Sequence, residues 1–367
     1  MSVIPFLDLH SAYAELNEEL DAALSRVLDG SWYILGSELE GFEEGWASYC
    51  EADHAVSVAN GLNALALALR ALDIGAGDEV IVPPNTYIAT WLAVSALGAR
   101  PVPVEPAPTI HLIEATRIER AITPPTKAFL PIHMYGSTVD LDAISNIVRQ
   151  HNLTIIEDAA QAHGARYSGK RIGAHGDAIC WSFYPGKRVG GFGDGGAITP
   201  NRSDVAEGGR LLRNYGNRTK YVHEVKGVNS RLDPLQAAML RVTLRPLDNW
   251  NQRRSAIAEI YAEELKGTGL MLPKVARWAE PVWHLYVVRV QHRGYVQRMQ
   301  AVAGIVTVIH YPIAPHMQDA YADLGIPADG LPRARKLAQE VLSLPIGPHL
   351  GLKDVRHVVG TLREVLI

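Results

Sequence analysis

A chain of 367 residues, 47% hydrophobic and 20% charged, is a globular protein with enough apolar material for a large core and two domains. Its 35 basic and 39 acidic side chains give a formal charge of -4, and no cluster of lysine and arginine tracks a phosphodiester backbone, which argues against nucleic acid as a partner. Cys50 and Cys180 offer neither a disulfide framework nor a cysteine zinc site, and the longest apolar run, 88–99, is too short for a bilayer; a cytoplasmic protein without signal peptide or membrane segment is expected.

Taken in order, the spacing of Leu16, Leu20, Ala23, Leu24 and Val27 predicts a helix over 11–28, ended by Gly30. The aromatic loop 31–36 is either a subunit contact or a lid, and a second helix over 37–49 leads to a strand at 55–58. Asn60-Gly61-Leu62-Asn63-Ala64 then joins that strand to a helix over 64–72. Such a turn is either plain punctuation or an anion site built from free N–H groups and the helix dipole. A strand over 79–84 runs through Asn85-Thr86-Tyr87 into a helix over 88–97, with Tyr87 either core or ligand-facing. Strands over 100–104 and 127–132 and helices over 113–121 and 141–151 continue the alternation, which predicts a parallel sheet with helices on both faces. His133, just past a strand end, is a structural histidine or a site-lining one.

The strand 153–158 ends in Glu157-Asp158, where open α/β sheets place ligands, so Asp158 either caps the next segment or serves chemistry. Further on, Cys180-Trp181-Ser182-Phe183-Tyr184 reads as a strand broken by Pro185-Gly186, which puts Lys187 on a rigid, accessible turn. Glycines 190–196 let backbone pass close to a ligand, and 195–199 reads as the strand leaving the site. A Schiff-base lysine beside a carboxylate that protonates a pyridine nitrogen is what a pyridoxal phosphate (PLP) site requires.

With these residues in view, Glu157-Asp158-Ala159-Ala160-Gln161-Ala162-His163-Gly164 and Ser182-Phe183-Tyr184-Pro185-Gly186-Lys187 resemble the DegT/DnrJ/EryC1/StrS sugar aminotransferases. The resemblance covers nearly the whole chain. It implies a fold-type I PLP transferase, aspartate aminotransferase-like: a large domain, 1–248, with a mixed, mostly parallel sheet, and a small C-terminal α+β domain, 249–367. It also implies roles. Lys187 and Asp158 are the expected catalytic pair; Gly61, Leu62 and Ser182 are expected at the cofactor phosphate, Tyr87 stacked on its ring and Gln161 on its phenolic oxygen. Asn229, within Asn229-Ser230-Arg231-Leu232-Asp233-Pro234-Leu235-Gln236-Ala237-Ala238, is expected to reach the phosphate of a neighbouring subunit, which makes a homodimer with shared sites. Two departures stand out: Thr109-Ile110-His111-Leu112 replaces an Asn-Ile-Asp sequence ahead of a helix, and Arg188 follows the lysine where Asn is expected. Arg188 either favours an acidic substrate group or faces solvent.

After the lysine region a helix over 204–214, a polar loop over 218–235 and a helix begun by Asp233-Pro234 are expected. A long helical segment over 245–265, with Pro246 as its start or a kink, leads into the second domain. There the reading gives strands over 282–290 and 306–309 and helices over 295–303, 333–342 and 353–366. The His310-Tyr311-Pro312-Ile313-Ala314-Pro315-His316 loop has two histidines but no third ligand, so no metal is expected. Tyr184, Lys220, Tyr221, His310, Tyr311 and His316 are the expected substrate contacts.

The implied reaction moves an amino group from L-glutamate to a nucleotide-linked ketosugar, with the His-Tyr-Pro loop resembling enzymes that aminate carbon 3 of a dTDP-3-keto-6-deoxyhexose. Alternatives are amination of carbon 4 of a dTDP-, UDP- or GDP-4-ketosugar, or a regulator that binds PLP or a nucleotide sugar without turnover. Sugar dehydrases of the same family carry histidine at the lysine position, so Lys187 argues against that class.

Overall fold

The computed structural model describes residues 3–108 and 111–366; Thr109 and Ile110 of the first departure lie outside them. The central sheet is built from β1 (Val56–Val58), β2 (Glu79–Val82), β3 (Arg100–Pro103), β4 (Thr126–Phe129) and β5 (Thr154–Asp158). After the two-residue strands β6 (Arg166–Tyr167) and β7 (Lys170–Arg171) it is completed by β8 (Ala178–Ser182) and β9 (Gly196–Thr199), in the order β1-β9-β8-β5-β4-β2-β3. The pairs from β3 through β8 are parallel, whereas β9 runs antiparallel to both β8 and β1. The sheet is thus mixed because the chain folds straight back after the lysine turn instead of crossing over through a helix. Its strands are buried on both faces, which accounts for their near-continuous apolar runs.

The helices lie close to their expected spans: α1 (Leu9–Gly30), α2 (Ser37–Tyr49), α3 (Gly61–Ala71), α4 (Ala89–Ser95), α5 (Ala115–Ile118), α6 (Leu141–Gln150) and α7 (Ser203–Arg213). One shift matters for function. α3 begins at Gly61, not at Ala64, because the Asn60 side chain accepts the Asn63 N–H at 2.9 Å and caps the helix there. The expected polar loop contains a short hairpin, β10 (Asn217–Thr219) with β11 (Val222–His223), before α8 (Pro234–Leu244) and α9 (Leu247–Glu264). Pro246 is the N-cap of α9, a start rather than a kink.

α9 joins two cores. Its Trp250 packs with Leu16, Leu20, Ala238 and Val242 of α1 and α8, while Ile257, Ala258 and Tyr261 pack with the C-terminal elements. Those follow β12 (Ala279–Glu280), which adds to β6, and comprise β13 (Tyr286–Arg289), α10 (Arg293–Val302), α11 (Pro332–Glu340), β14 (Val341–Leu344) and α12 (Leu352–Leu366). Two expectations fail here. Val341 and Leu342, expected to end a helix, begin β14 and pair with Arg289 and Val288 of β13. The expected strand over 306–309 is reduced to a single bridge between Val308 and Ser343.

Candidate active site

β5 and β8 lie side by side, with Asp158 opposite Cys180 in the register, so their carboxyl ends open at one edge. Alternation along β5 sends neighbouring acids to opposite faces. Glu157 faces the interior, where its Oε2 pairs with His133 Nε2 at 2.7 Å and its Oε1 accepts the Gly176 N–H at 2.6 Å. His133 is fully buried and structural. Asp158 faces the site. Its Oδ1 accepts the Ala160 N–H at 3.1 Å and its Oδ2 accepts the Thr90 hydroxyl at 2.9 Å. Burial pushes the Asp158 carboxyl up, against the pull of those hydrogen bonds and the charges of Lys187 and His133.

Pro185-Gly186 turns the chain so that the Lys187 N–H donates to Tyr184 O at 2.8 Å, and the Gly191 N–H closes the loop on Phe183 O at 2.7 Å. Among the described residues the Lys187 Nζ makes no hydrogen bond or ion pair. Burial lowers its pKa from 10.5 to about 8, with Asp158 acting in the opposite direction. The amine is still mostly protonated at neutral pH, but its neutral, nucleophilic fraction is far larger than that of an ordinary lysine.

A third feature lies one strand away. A Cβ on Gly61 would meet Ser182 Cβ at 2.7 Å and Oγ at 3.2 Å, and one on Gly196 would meet Asn60 C and O at 2.5 Å. Only glycine lets these backbones converge. The N–H groups of Gly61 and Leu62 head α3, where no preceding turn supplies acceptors, and Ser182 lies close beside them.

The outer wall comes from the C-terminal region. Gln161 Oε1 accepts the Tyr135 N–H at 2.7 Å, which fixes the amide so that Nε2 donates to the Tyr311 hydroxyl at 3.2 Å. The Tyr87 ring, 56% exposed, lies 5.3 Å from the Tyr311 ring at 39°. His310 Nδ1 bonds Ser343 Oγ at 2.8 Å, and burial with the nearby Lys187 charge lowers its pKa to about 4. His310 is thus a neutral ring.

Other expected contacts lie apart. Lys220 and Tyr221, the latter 81% exposed, border a cleft of about 590 Å³ with Ile34, Asn214 and Arg231. Asn229 is exposed on the same segment and bridges to Asn214; Tyr184 is exposed beside the lysine turn. His316 is 4% exposed, with the Ala328 backbone and Glu105 for neighbours, and no contact among the described residues joins it to Lys187 or Asp158. Arg188 does not face solvent: it is 4% exposed and turned away from water. No group of three His, Cys, Asp or Glu suited to a metal occurs among the described residues. Sequence reasoning missed Thr90, whose hydroxyl also lies 3.0 Å from that of Thr86.

Comparison with known proteins agrees with this geometry. The chain matches the DegT/DnrJ/EryC1/StrS aminotransferase family over residues 14–363. It is 54% identical over 362 residues to a dTDP-3-amino-3,4,6-trideoxy-alpha-D-glucose transaminase of Streptomyces venezuelae, covering 98% of this chain and 96% of that protein. It is 53% identical over 361 residues to the erythromycin biosynthesis sensory transduction protein EryC1 of Saccharopolyspora erythraea, covering 98% of this chain and 99% of that one. Among solved structures, S. venezuelae DesV matches with a TM-score of 0.98 at 54% identity, covering 99% of this chain and 98% of the other.

Proposed function

The chain belongs to the DegT/DnrJ/EryC1/StrS aminotransferase family, and from that premise we propose that it aminates carbon 3 of a dTDP-linked 3-keto-6-deoxyhexose with L-glutamate as donor. Its fold is that of the PLP aminotransferases and its cofactor is pyridoxal 5′-phosphate. The residues present fit that group: an anion cradle at Gly61, Leu62 and Ser182, a buried carboxylate, and an unpaired amine at adjoining strand ends. That convergence carries the reading.

When bound, PLP supplies an electron sink for the negative charge that develops beside the transferred nitrogen. Lys187 would hold the cofactor's aldehyde group, and its amine would move the proton that leaves the donor's α carbon. Its lowered pKa suits both directions. Asp158, held by Thr90 and Ala160, would keep the ring nitrogen protonated; Gln161 Nε2, which donates to the Tyr311 hydroxyl, would also donate to the cofactor's phenolic oxygen, and Tyr87 would cover the ring face. Tyr184, His310 and Tyr311 belong to the sugar side, while Lys220, Tyr221 and Asn229 act in the site of a partner copy. Glutamate leaves as 2-oxoglutarate and the sugar ketone becomes an amine, so atoms balance. Residues 1–248 and 249–367 act as the large and small domains of a cytoplasmic homodimer.

A second reading has one observation in its favour, the signalling name carried by the S. erythraea relative: a regulator that binds the same ligands without turnover. An absorbance titration separates the two. Purified protein loaded with PLP is expected to show the visible band of the lysine-linked cofactor, lost on adding glutamate and absent from Lys187→Ala. Amination of dTDP-3-keto-6-deoxyhexose, read by mass spectrometry, then completes the cycle. A band indifferent to glutamate would favour the regulator, and turnover by Lys187→Ala would overturn the assignment of the lysine.

A further inference from the structure

The turn that opens α3 is held from outside as well as by its own cap. Asn60 Oδ1 accepts the Asn63 N–H at 2.9 Å, and both ends of the same stretch reach a residue far along the chain. The Ala59 N–H donates to Ser230 Oγ at 3.3 Å, and Asn63 Nδ2 donates to the same oxygen at 2.9 Å. A serine hydroxyl has two lone pairs with which to accept, and here both are engaged, one on each side of Gly61 and Leu62. Ser230 is fully buried, where a hydroxyl is tolerated only when hydrogen-bonded.

The serine is itself fixed to the strand that enters the turn. Its N–H donates to Arg213 O at 2.9 Å. The Arg213 side chain, also buried, donates to Ser57 O of β1 at 2.7 Å and pairs with Glu43, whose Oε1 accepts the Ser57 N–H at 2.8 Å. β1 and the serine therefore share one buried ion pair, and the stretch from Ala59 to Asn63 is clamped between them. Backbone N–H groups have no rotamers of their own, so the position of that stretch decides where those of Gly61 and Leu62 point.

We propose that Ser230 is a positioning residue for the cofactor phosphate: its hydroxyl holds the turn from Ala59 to Asn63 so that the Gly61 and Leu62 N–H groups meet the phosphate. Sealed from solvent, it acts through the turn and not on the ligand. This role rests on the PLP reading of the site.

The test compares PLP with pyridoxal, which has the same ring and aldehyde but no phosphate, each titrated into the cofactor-free full chain and read by absorbance and equilibrium dialysis. Wild type is expected to bind PLP more tightly than pyridoxal. Ser230→Ala should weaken PLP by about 5–20-fold and leave pyridoxal within a factor of about two. Asn63→Ala, which removes one of the two donors from a half-buried helical position, should show the same selective loss at smaller size, and the double variant should lose no more than Ser230→Ala alone. Equal losses for PLP and pyridoxal would make Ser230 a packing residue, and unchanged PLP affinity in both single variants would remove the clamp; either result overturns the role while leaving the phosphate at α3. A wild type that binds pyridoxal as tightly as PLP would instead overturn the phosphate reading of the turn, and the role with it.

Discussion

Lys187 and Asp158 are shifted in opposite directions by the same dry surroundings, the amine down and the carboxyl up. For the amine the consequence for stability has a definite sign. With a folded value of about 8 against an ordinary 10.5, the unfolded chain holds the proton more tightly between those limits. Stability of the cofactor-free protein due to this group therefore rises with pH across that window, and below about 8 the buried ammonium carries its full cost. Lys187→Met removes that cost. Urea unfolding of the cofactor-free proteins at pH 7 should find the variant more stable by about 1–3 kcal/mol, the gap closing towards pH 10.5. Parallel pH curves would show that the amine is well solvated. Both residues were legible because each ends an apolar run at a turn. Thr90 was not, since its bond to Asp158 spans 68 positions and depends on α4 leaning over the end of β5. Nor was the burial of Arg188, which the packing of α9 against the lysine turn decides.

Among the elements, α3 and β8 illustrate how local chemistry sets the cradle. Asn60 caps the helix and thereby fixes where its free N–H groups point, while Gly61 admits Ser182 to within reach of them. In Gly61→Ala the new methyl would lie 2.7 Å from Ser182 Cβ, so α3 must draw back from β8. PLP phosphate affinity is expected to fall about 10–100-fold, measured by equilibrium dialysis, with the far-ultraviolet dichroism of the fold retained. An unchanged dissociation constant would remove the phosphate from this turn. The elements legible in sequence were those whose own period carried the signal, such as α1 and β5. Val341 and Leu342 read as the end of a helix because so short an apolar stretch fits either period, and only pairing with β13 decides. The hairpin β10–β11 carries too few apolar residues to announce itself, and the 306–309 segment is held by one bridge to Ser343 where a strand needs a ladder.

At the scale of the whole molecule, one chain holds the residues of the proposed site in two places. The cradle, Asp158 and Lys187 converge at the strand ends, whereas Lys220 and Tyr221 border a separate cleft with Asn229 exposed on the same segment. The exposed apolar side chains Trp32, Tyr33, Ile34, Tyr215 and Val222 belong to that second region, an arrangement suited to burial against another copy. If each site takes its lysine from one chain and its asparagine from the other, defects in the two residues complement each other. Lys187→Ala and Asn229→Asp are each expected to be inactive or nearly so alone, the second because a carboxylate repels the phosphate. Refolded together from an equal mixture, half the dimers are mixed and each of those keeps one intact site, so about a quarter of wild-type activity should return. If both residues serve the same chain's site, no mixture contains an intact one and activity stays at background. Activity of the mixture thus decides between a shared and a self-contained site without any structure of the complex.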